Sequence, residues 1–247
     1  MAGMQGYRSG HNEAVLKTVW AKARVGSNPT PCGKNSKRHL GLRCLFDKNT
    51  FFADTVMIEL QYGNTNTFLF RGRDGFLLLD TGYAGELNAF YKAIKAKGVR
   101  VKDIAFVLAT HYHPDHIGLI PDLTDQGVRL LLTDTQTDAV HDSDCIFARE
   151  PKLNWRPIRD SEATVLSCSD SRAFLGGMGI DGEIVSTPSH SRDSITVLLD
   201  DGDCFVGDLE RRAVLAGYDE NLPLQRDWET VLAHRPKKIF YAHGREE

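Results

Sequence analysis

The sequence predicts an α+β fold whose polar, chemistry-bearing residues gather at the ends of strands. Three observations lead there. Apolar and β-branched runs of strand length recur from residue 55 onward, segments of helical period fall between some of them, and several strand runs end in His or Asp. Residues 51–247 read as one main domain. Residues 1–50 read as a separate, poorly packed extension.

The elements follow in order. Strands are expected near 55–62, 66–71 and 75–80, joined by turn-formers at Gly63-Asn64-Thr65-Asn66 and Asp74-Gly75. Segment 85–97 is expected to be a helix, because Leu87, Phe90, Tyr91 and Ile94 repeat at helical spacing and Gly98 closes it. Strand 103–109 contains the run Ile104-Ala105-Phe106-Val107-Leu108 and leads into a cluster of imidazoles. A strand at 129–133 and a helix at 134–141 follow. A strand at 183–187 is stopped by Pro188. Strands 194–200 and 203–207 flank the hairpin signal Asp200-Asp201-Gly202-Asp203. A helix at 226–234 and a strand at 237–241 complete the reading. No internal repeat is evident.

Composition suits a globular protein, with 41% apolar and 26% charged residues in 247. No apolar run of about 18 residues is present, so no transmembrane helix and no membrane partner are expected. The five cysteines are scattered without a C-x-x-C pair and read as free thiols of a reducing compartment. The first thirty residues lack a secretory apolar core. The expected location is cytoplasmic. Residues 1–50 carry nine Lys or Arg against Glu13 and Asp47, a net +7, which leaves −10 for residues 51–247 of the whole-chain −3. Such a basic arm is usually only solvated. An organelle-targeting segment, a nucleic-acid-binding tail and upstream sequence carried by a misplaced start codon are its other readings. The acidic main domain would repel phosphate backbones, so no nucleic-acid partner is expected. A small-molecule substrate is, and homo-oligomerisation is left open.

The run His111-Tyr112-His113-Pro114-Asp115-His116 is the most informative feature. His111 and His113 are two apart on extended backbone and so face the same side. Asp115 and His116 follow where the chain turns into a helix and face a second point nearby. Neutral imidazole and carboxylate are ligands for zinc and similar borderline cations. Single polar residues follow other strands: Asp80 after Leu77-Leu78-Leu79, His190 after Thr187-Pro188-Ser189, Asp208 after Phe205-Val206-Gly207, and His243 after Tyr241-Ala242.

Taken together, these five motifs resemble the metallo-β-lactamase fold superfamily over residues 51–247. The resemblance implies a four-layer αββα sandwich with two divalent metal ions at one edge, Zn2+ first, with Mn2+ and Fe2+ as alternatives. It assigns His111, His113 and His190 to one metal and Asp115, His116 and His243 to the other. Asp208 bridges both, and a water or hydroxide serves as nucleophile. Asp115 would orient that nucleophile, and Asp80 would brace the ligand loop without ligating; its other reading is a plain turn cap. Asp at position 208 resembles the glyoxalase-II, lactonase and phosphodiesterase branches rather than the penicillin-opening enzymes. The implied activity is hydrolysis of a small-molecule ester-like bond: a lactone, thioester, carboxylic ester or phosphoester. The alternatives are an iron-dependent oxidoreductase of the same fold, of the persulfide dioxygenase kind, a β-lactam hydrolase, and a non-catalytic binding module. The chain runs only four residues past His243, where glyoxalase II would continue into a helical domain. Substrate-pocket candidates are Tyr112, Trp155 and Arg156, an aromatic-and-cationic set suited to an anionic or carbonyl-bearing substrate. Tyr112 and Tyr241 could alternatively serve as acids or simply fill the core.

Overall fold

The computed structural model describes residues 56–217 and 221–247. The expected extension 1–50 lies outside the described residues. Ten strands form two sheets. The first holds β1 (Met57–Leu60), β2 (Thr67–Arg71), β3 (Phe76–Leu79), β4 (Ile104–Leu108), β5 (Arg129–Thr133) and β6 (Thr164–Leu166), in that spatial order. The second holds β7 (Gly182–Ser186), β8 (Ile195–Leu199), β9 (Asp203–Phe205) and β10 (Lys238–Phe240), in the order β10-β9-β8-β7. Hairpins make β1–β2–β3 and β7–β8–β9 antiparallel, while β3–β4, β4–β5, β5–β6 and β9–β10 are parallel.

Strand alternation builds the layers. Leu69 of β2, Leu78 of β3 and Val107 of β4 face outward to a core shared with Phe90 and Ile94 of helix α1 (Leu87–Ala96). The same core takes Ile117 of α2 (Pro114–Ile117) and Ile120 and Leu123 of α3 (Ile120–Thr124). The neighbours of Leu69, Phe68 and Phe70, turn the opposite way, as the two-residue period requires. Their rings meet Phe205 of β9 edge-on at 4.8 and 4.7 Å between centroids. Phe205 in turn stacks on Phe240 of β10 at 4.8 Å. On the far face of the second sheet, Leu198, Cys204 and Ile239 join Trp228 and Val231, which belong to a helix at Leu222–Ala233. Helix, sheet, sheet and helix thus stack as an αββα sandwich. Each fully buried Leu or Phe contributes about 1.5–3 kcal/mol to holding the layers.

All nine expected strands are present, and the helix expected at 85–97 is α1. The helix expected at 134–141 is not. That segment is a series of turns, with N–H groups of Gln136, Ala139 and Asp142 each donating to the carbonyl three residues back. The elements not anticipated include α3, α4 (Asp144–Phe147), the three-residue β6, and α5 (Ser171–Met178), whose Gly176-Gly177 hides its helical character. The helix at Leu222–Ala233, α6, begins four residues before the expected 226, because the Asn221 side chain accepts from Leu224 N–H and caps it there.

Candidate metal centre

Strand ends deliver every candidate ligand. β4 runs out at Leu108, and the next residues carry His111 and His113; His113 is the N-cap of α2, with Pro114 in its first turn. That turn places Asp115 and His116 on α2. His190 follows β7, Asp208 follows β9 and His243 follows β10. Three overlapping groups result, each with ligand atoms within 4.8 Å of one another: His111–His113–His190, His111–His116–Asp208, and Asp115–His116–His243. The two triads that the resemblance implies are each one of these groups, and Asp208 joins His111 and His116 in the third.

The contacts inside the cluster are close. His113 Nδ1 lies 2.9 Å from His111 Nε2 and 3.2 Å from His190 Nε2. His243 Nε2 lies 3.0 Å from Asp115 Oδ2 and 3.4 Å from Asp208 Oδ1. Asp208 Oδ2 sits 3.5 Å from His116 Nε2 and 3.8 Å from both His111 Nε2 and His190 Nε2. His116 Nε2 and Asp208 Oδ1 are buried and have no hydrogen-bond partner. Orphaned polar atoms of this kind are costly unless something else meets them. A nitrogen and a carboxylate oxygen converging from several sides suit a divalent cation of the zinc or iron type. The donor set therefore fits the metals that the resemblance implies.

Electrostatics agree. Burial, aided by the surrounding imidazoles, pushes the His111 pKa down, so this ring is neutral and ready to donate a lone pair. Burial also lowers His190. For His116, burial opposes protonation, but the carboxylates of Asp80 and Asp208 outweigh it and lift the pKa to about 10. Burial pushes Asp208 up, while His116 and the other imidazoles more than compensate and hold it below the ordinary carboxylate value. A surplus of negative charge thus stabilises positive charge at this point.

An outer layer orients the rings. Asp80, 1% exposed and at φ +60°, accepts from Thr110 N–H at 2.7 Å and lies 3.1 Å from His116 Nδ1. It is thus more than a turn cap. Thr110 Oγ1 touches His111 Nδ1 and His116 Nδ1 at 3.2 and 3.3 Å. The β1–β2 turn, legible only as a hairpin in the sequence, holds two more: Asn64 carbonyl oxygen meets His243 Nδ1 at 2.9 Å, and Thr65 Oγ1 donates to the Asp115 carbonyl at 2.8 Å. Gly118 lets α2 press on the Asp80 loop, since a Cβ there would stand 2.1 Å from Ala84 N and 2.2 Å from Tyr83 C.

The pocket candidates fare differently. Tyr112 is corrected: it is 1% exposed and packs in the first core. With His111 and His113 turned to the cluster, the residue between them must turn away. Trp155 stacks on Phe147 at 4.2 Å and packs partly buried against the same core. Arg156 is exposed and pairs with Asp122 and Asp125 at the end of α3. Tyr241 donates its hydroxyl to Glu247 under the Arg211 guanidinium. Sequence reasoning missed Thr110, Asn64, Asp193 and Asp227, whose partners are distant along the chain.

A model of the metallo-beta-lactamase superfamily matches residues 60–243. The chain belongs to that superfamily. Among its relatives, Beta-lactamase-like protein 2 homolog of Drosophila melanogaster is 24% identical over 186 residues, covering 73% of this chain and 58% of that protein. An atrochrysone carboxyl ACP thioesterase of Pseudocercospora fijiensis is 28% identical over 183 residues, 73% of this chain and 47% of its own length. The chain thus spans roughly half the length of these two metallo-β-lactamase relatives. The solved structure of TTHA1623 in a di-iron-bound form superposes with a TM-score of 0.57 at 21% identity, covering 78% of this chain and 93% of that one. No helix among the described residues is long and apolar enough to cross a membrane.

Proposed function

We propose that this protein is a metal-dependent hydrolase of a small-molecule ester-like bond, with two divalent cations held by the seven residues of the cluster. One observation carries the reading: the Asp208 carboxylate reaches both ligand groups, with Oδ2 3.8 Å from His111 Nε2 and His190 Nε2 and Oδ1 3.4 Å from His243 Nε2. His111, His113 and His190 would hold one cation, and Asp115, His116 and His243 the other. Bound there, two such ions lower the pKa of water towards neutrality and polarise a carbonyl or phosphoryl oxygen. The chain supplies the rest. Asp208 offsets repulsion between like charges. Asp115, 38% exposed in its side chain, can take a proton from attacking water. Asp80 and Thr110 keep the imidazoles of His111 and His116 from rotating.

A thioester or other carboxylic ester is the first substrate class to test, because a relative matched over 73% of this chain is named a thioesterase. Lactones and phosphoesters stay in the same panel. Zinc is the first metal; the same nitrogen and oxygen donors serve iron, for which an oxidoreductase activity is the second reading, and a di-iron neighbour motivates it. The test is a hydrolysis screen on zinc-, manganese- and iron-loaded protein, with thioesters, lactones, aryl esters, phosphodiesters and a cephalosporin. Turnover that chelator abolishes and zinc or manganese restores is expected. Turnover persisting after complete metal removal, or oxygen consumption by the iron form alone, would overturn it.

A further inference from the structure

Helix α6 carries its buried face at Leu224, Asp227, Trp228 and Val231, the i, i+3, i+4, i+7 pattern of an amphipathic helix. One member is an acid. Asp227 is 5% exposed in a stripe that otherwise buries apolar groups. A carboxylate there costs stability unless it is engaged. Its partner is the backbone N–H of Ser189, 2.7 Å from Oδ2, on the residue before His190. The next residue of the helix does the same for a second loop. Trp228, 1% exposed, donates its indole N–H to the carbonyl of Glu210 at 3.0 Å, two residues past Asp208. Two consecutive side chains of one helix therefore fasten the loops of two candidate ligands.

His190 needs such a hold more than His111, His116 and His243 do. His111 and His116 are buried, with Thr110 against their Nδ1 atoms. His243 has Asn64 against Nδ1. His190 is exposed, and among the described residues its ring meets other members of the cluster: His113, His111 and Asp208. Its place is thus set by the backbone on either side. Asp227 fixes that backbone at Ser189. Three residues past His190, buried Asp193 fixes it again by accepting the Tyr112 N–H at 2.7 Å, in the loop of His111 and His113.

We propose that Asp227 and Trp228 are positioning residues of the metal centre, and that helix α6 is the clamp holding His190 and Asp208 in register with the histidines of β4. The proposal rests on the metal reading above and goes beyond its ligand set. Asp227 acts on the His111–His113–His190 group alone, through His190. Trp228 acts on both groups, because Asp208 is shared.

Cobalt(II) titration of the metal-free full-length chain, followed by visible absorption and by bound stoichiometry, separates these roles. The wild type should take two equivalents. In Asp227→Ala one equivalent should bind about ten- to a hundredfold more weakly while the other is unchanged. Asp227→Asn, whose amide oxygen can still accept the Ser189 N–H, should restore most of the loss. Trp228→Phe keeps an aromatic ring in the core and removes only the indole donor; it should weaken both equivalents. It also tests the clamp if Asp227→Ala does not fold. A wild type that binds no cobalt sinks the metal reading, and the clamp with it. A wild type that binds two equivalents, beside a folded Asp227→Ala that binds both as tightly or loses both equally, overturns the clamp and leaves the metal reading standing. Unchanged binding in Trp228→Phe overturns the part assigned to Trp228.

Discussion

Asp80 Oδ2 and His116 Nδ1 lie 3.1 Å apart, and neither side chain is more than 1% exposed. The contact joins the end of β3 to helix α2, thirty-six positions on. It leaves His116 Nε2, the ring's other nitrogen, pointing at Asp208 and Asp115. A carboxylate behind a ligating imidazole fixes its tautomer and raises its basicity.

Replacing Asp80 tests that relationship. Asp80→Ala would strand the Thr110 N–H and the His116 ring in a buried place, so a loss of about 3 kcal/mol is expected, in the range for breaking a buried pair. Asp80→Asn keeps the shape and one acceptor, and should cost clearly less. Both should weaken metal binding about ten- to a hundredfold. Denaturant unfolding of the metal-free variants, beside zinc titration, measures both effects. An Asp80→Ala as stable as wild type would reduce Asp80 to the turn cap that its sequence position also allows.

A second expectation concerns pH and lies away from the centre. Glu183 on β7 is hydrogen-bonded by His234 and approached by Arg172 at 3.2 Å. The His234 contact, against a smaller burial cost, holds the Glu183 pKa below its ordinary value. Below that ordinary value the unfolded chain takes up the proton first, so the stabilisation is present at neutral pH. It is lost as pH falls through the lowered pKa. The group is partly exposed, so the effect is small. Melting temperatures from about pH 6 to about pH 3 should fall more steeply for wild type than for Glu183→Gln. Parallel curves would remove this contribution.

The strands and the cluster were legible because both signals are local. Apolar runs mark β3, β4, β7, β8 and β9, with β-branched residues in β4, β7 and β8, and the residues after them are where a sheet edge exposes polar groups. Asp134 to His141 was misread because turn bonds three residues apart leave a pattern close to that of a helix. Thr164 to Leu166 is too short for alternation to register, and Gly176-Gly177 argued against α5. Asn221, followed closely by Pro223, was an available helix-start signal for α6. Asp227, by contrast, meets Ser189 across 38 positions; its spacing with Leu224, Trp228 and Val231 marks a buried face but not the partner. Pairings of that kind are created by the fold.

In the proposed reading, Asp208 is the residue that both ligand groups share. Its two oxygens approach different imidazoles, Oδ1 towards His243 and Oδ2 towards His116, His111 and His190. Asp208→Ala should therefore bind fewer than two metals per chain and lose about a hundredfold or more in turnover. Asp208→Cys should retain one site and shift preference towards softer ions. Elemental analysis of purified variants decides. Two full equivalents in Asp208→Ala with near-normal turnover would leave Asp208 as a strand-end residue and nothing more.

The sharpest prediction sets two single variants against each other. His116 groups with Asp115 and His243, and also with His111 and Asp208, while His190 groups with His111 and His113; the proposed ligand sets divide them between the two cations. Both touch Asp208, at 3.5 and 3.8 Å, so neither contact alone separates their roles. What separates them is the company each keeps on its other side. His190→Ala removes an exposed ring from the first group and leaves Asp115, His116 and His243 intact, so the second equivalent should stay tight. His116→Ala removes a buried ring, breaks the Asp80 contact, and empties the second group; the three histidines of the first remain. Because His116 is buried, its loss should also lower the stability of the metal-free protein, and the loss of His190 should barely do so. Competitive titration with a chelating dye resolves the two equivalents in each variant, and unfolding of the apo forms gives the stability difference. If each variant loses the same equivalent, the division of the cluster into two groups around Asp208 is wrong, even if the total number of metals is right.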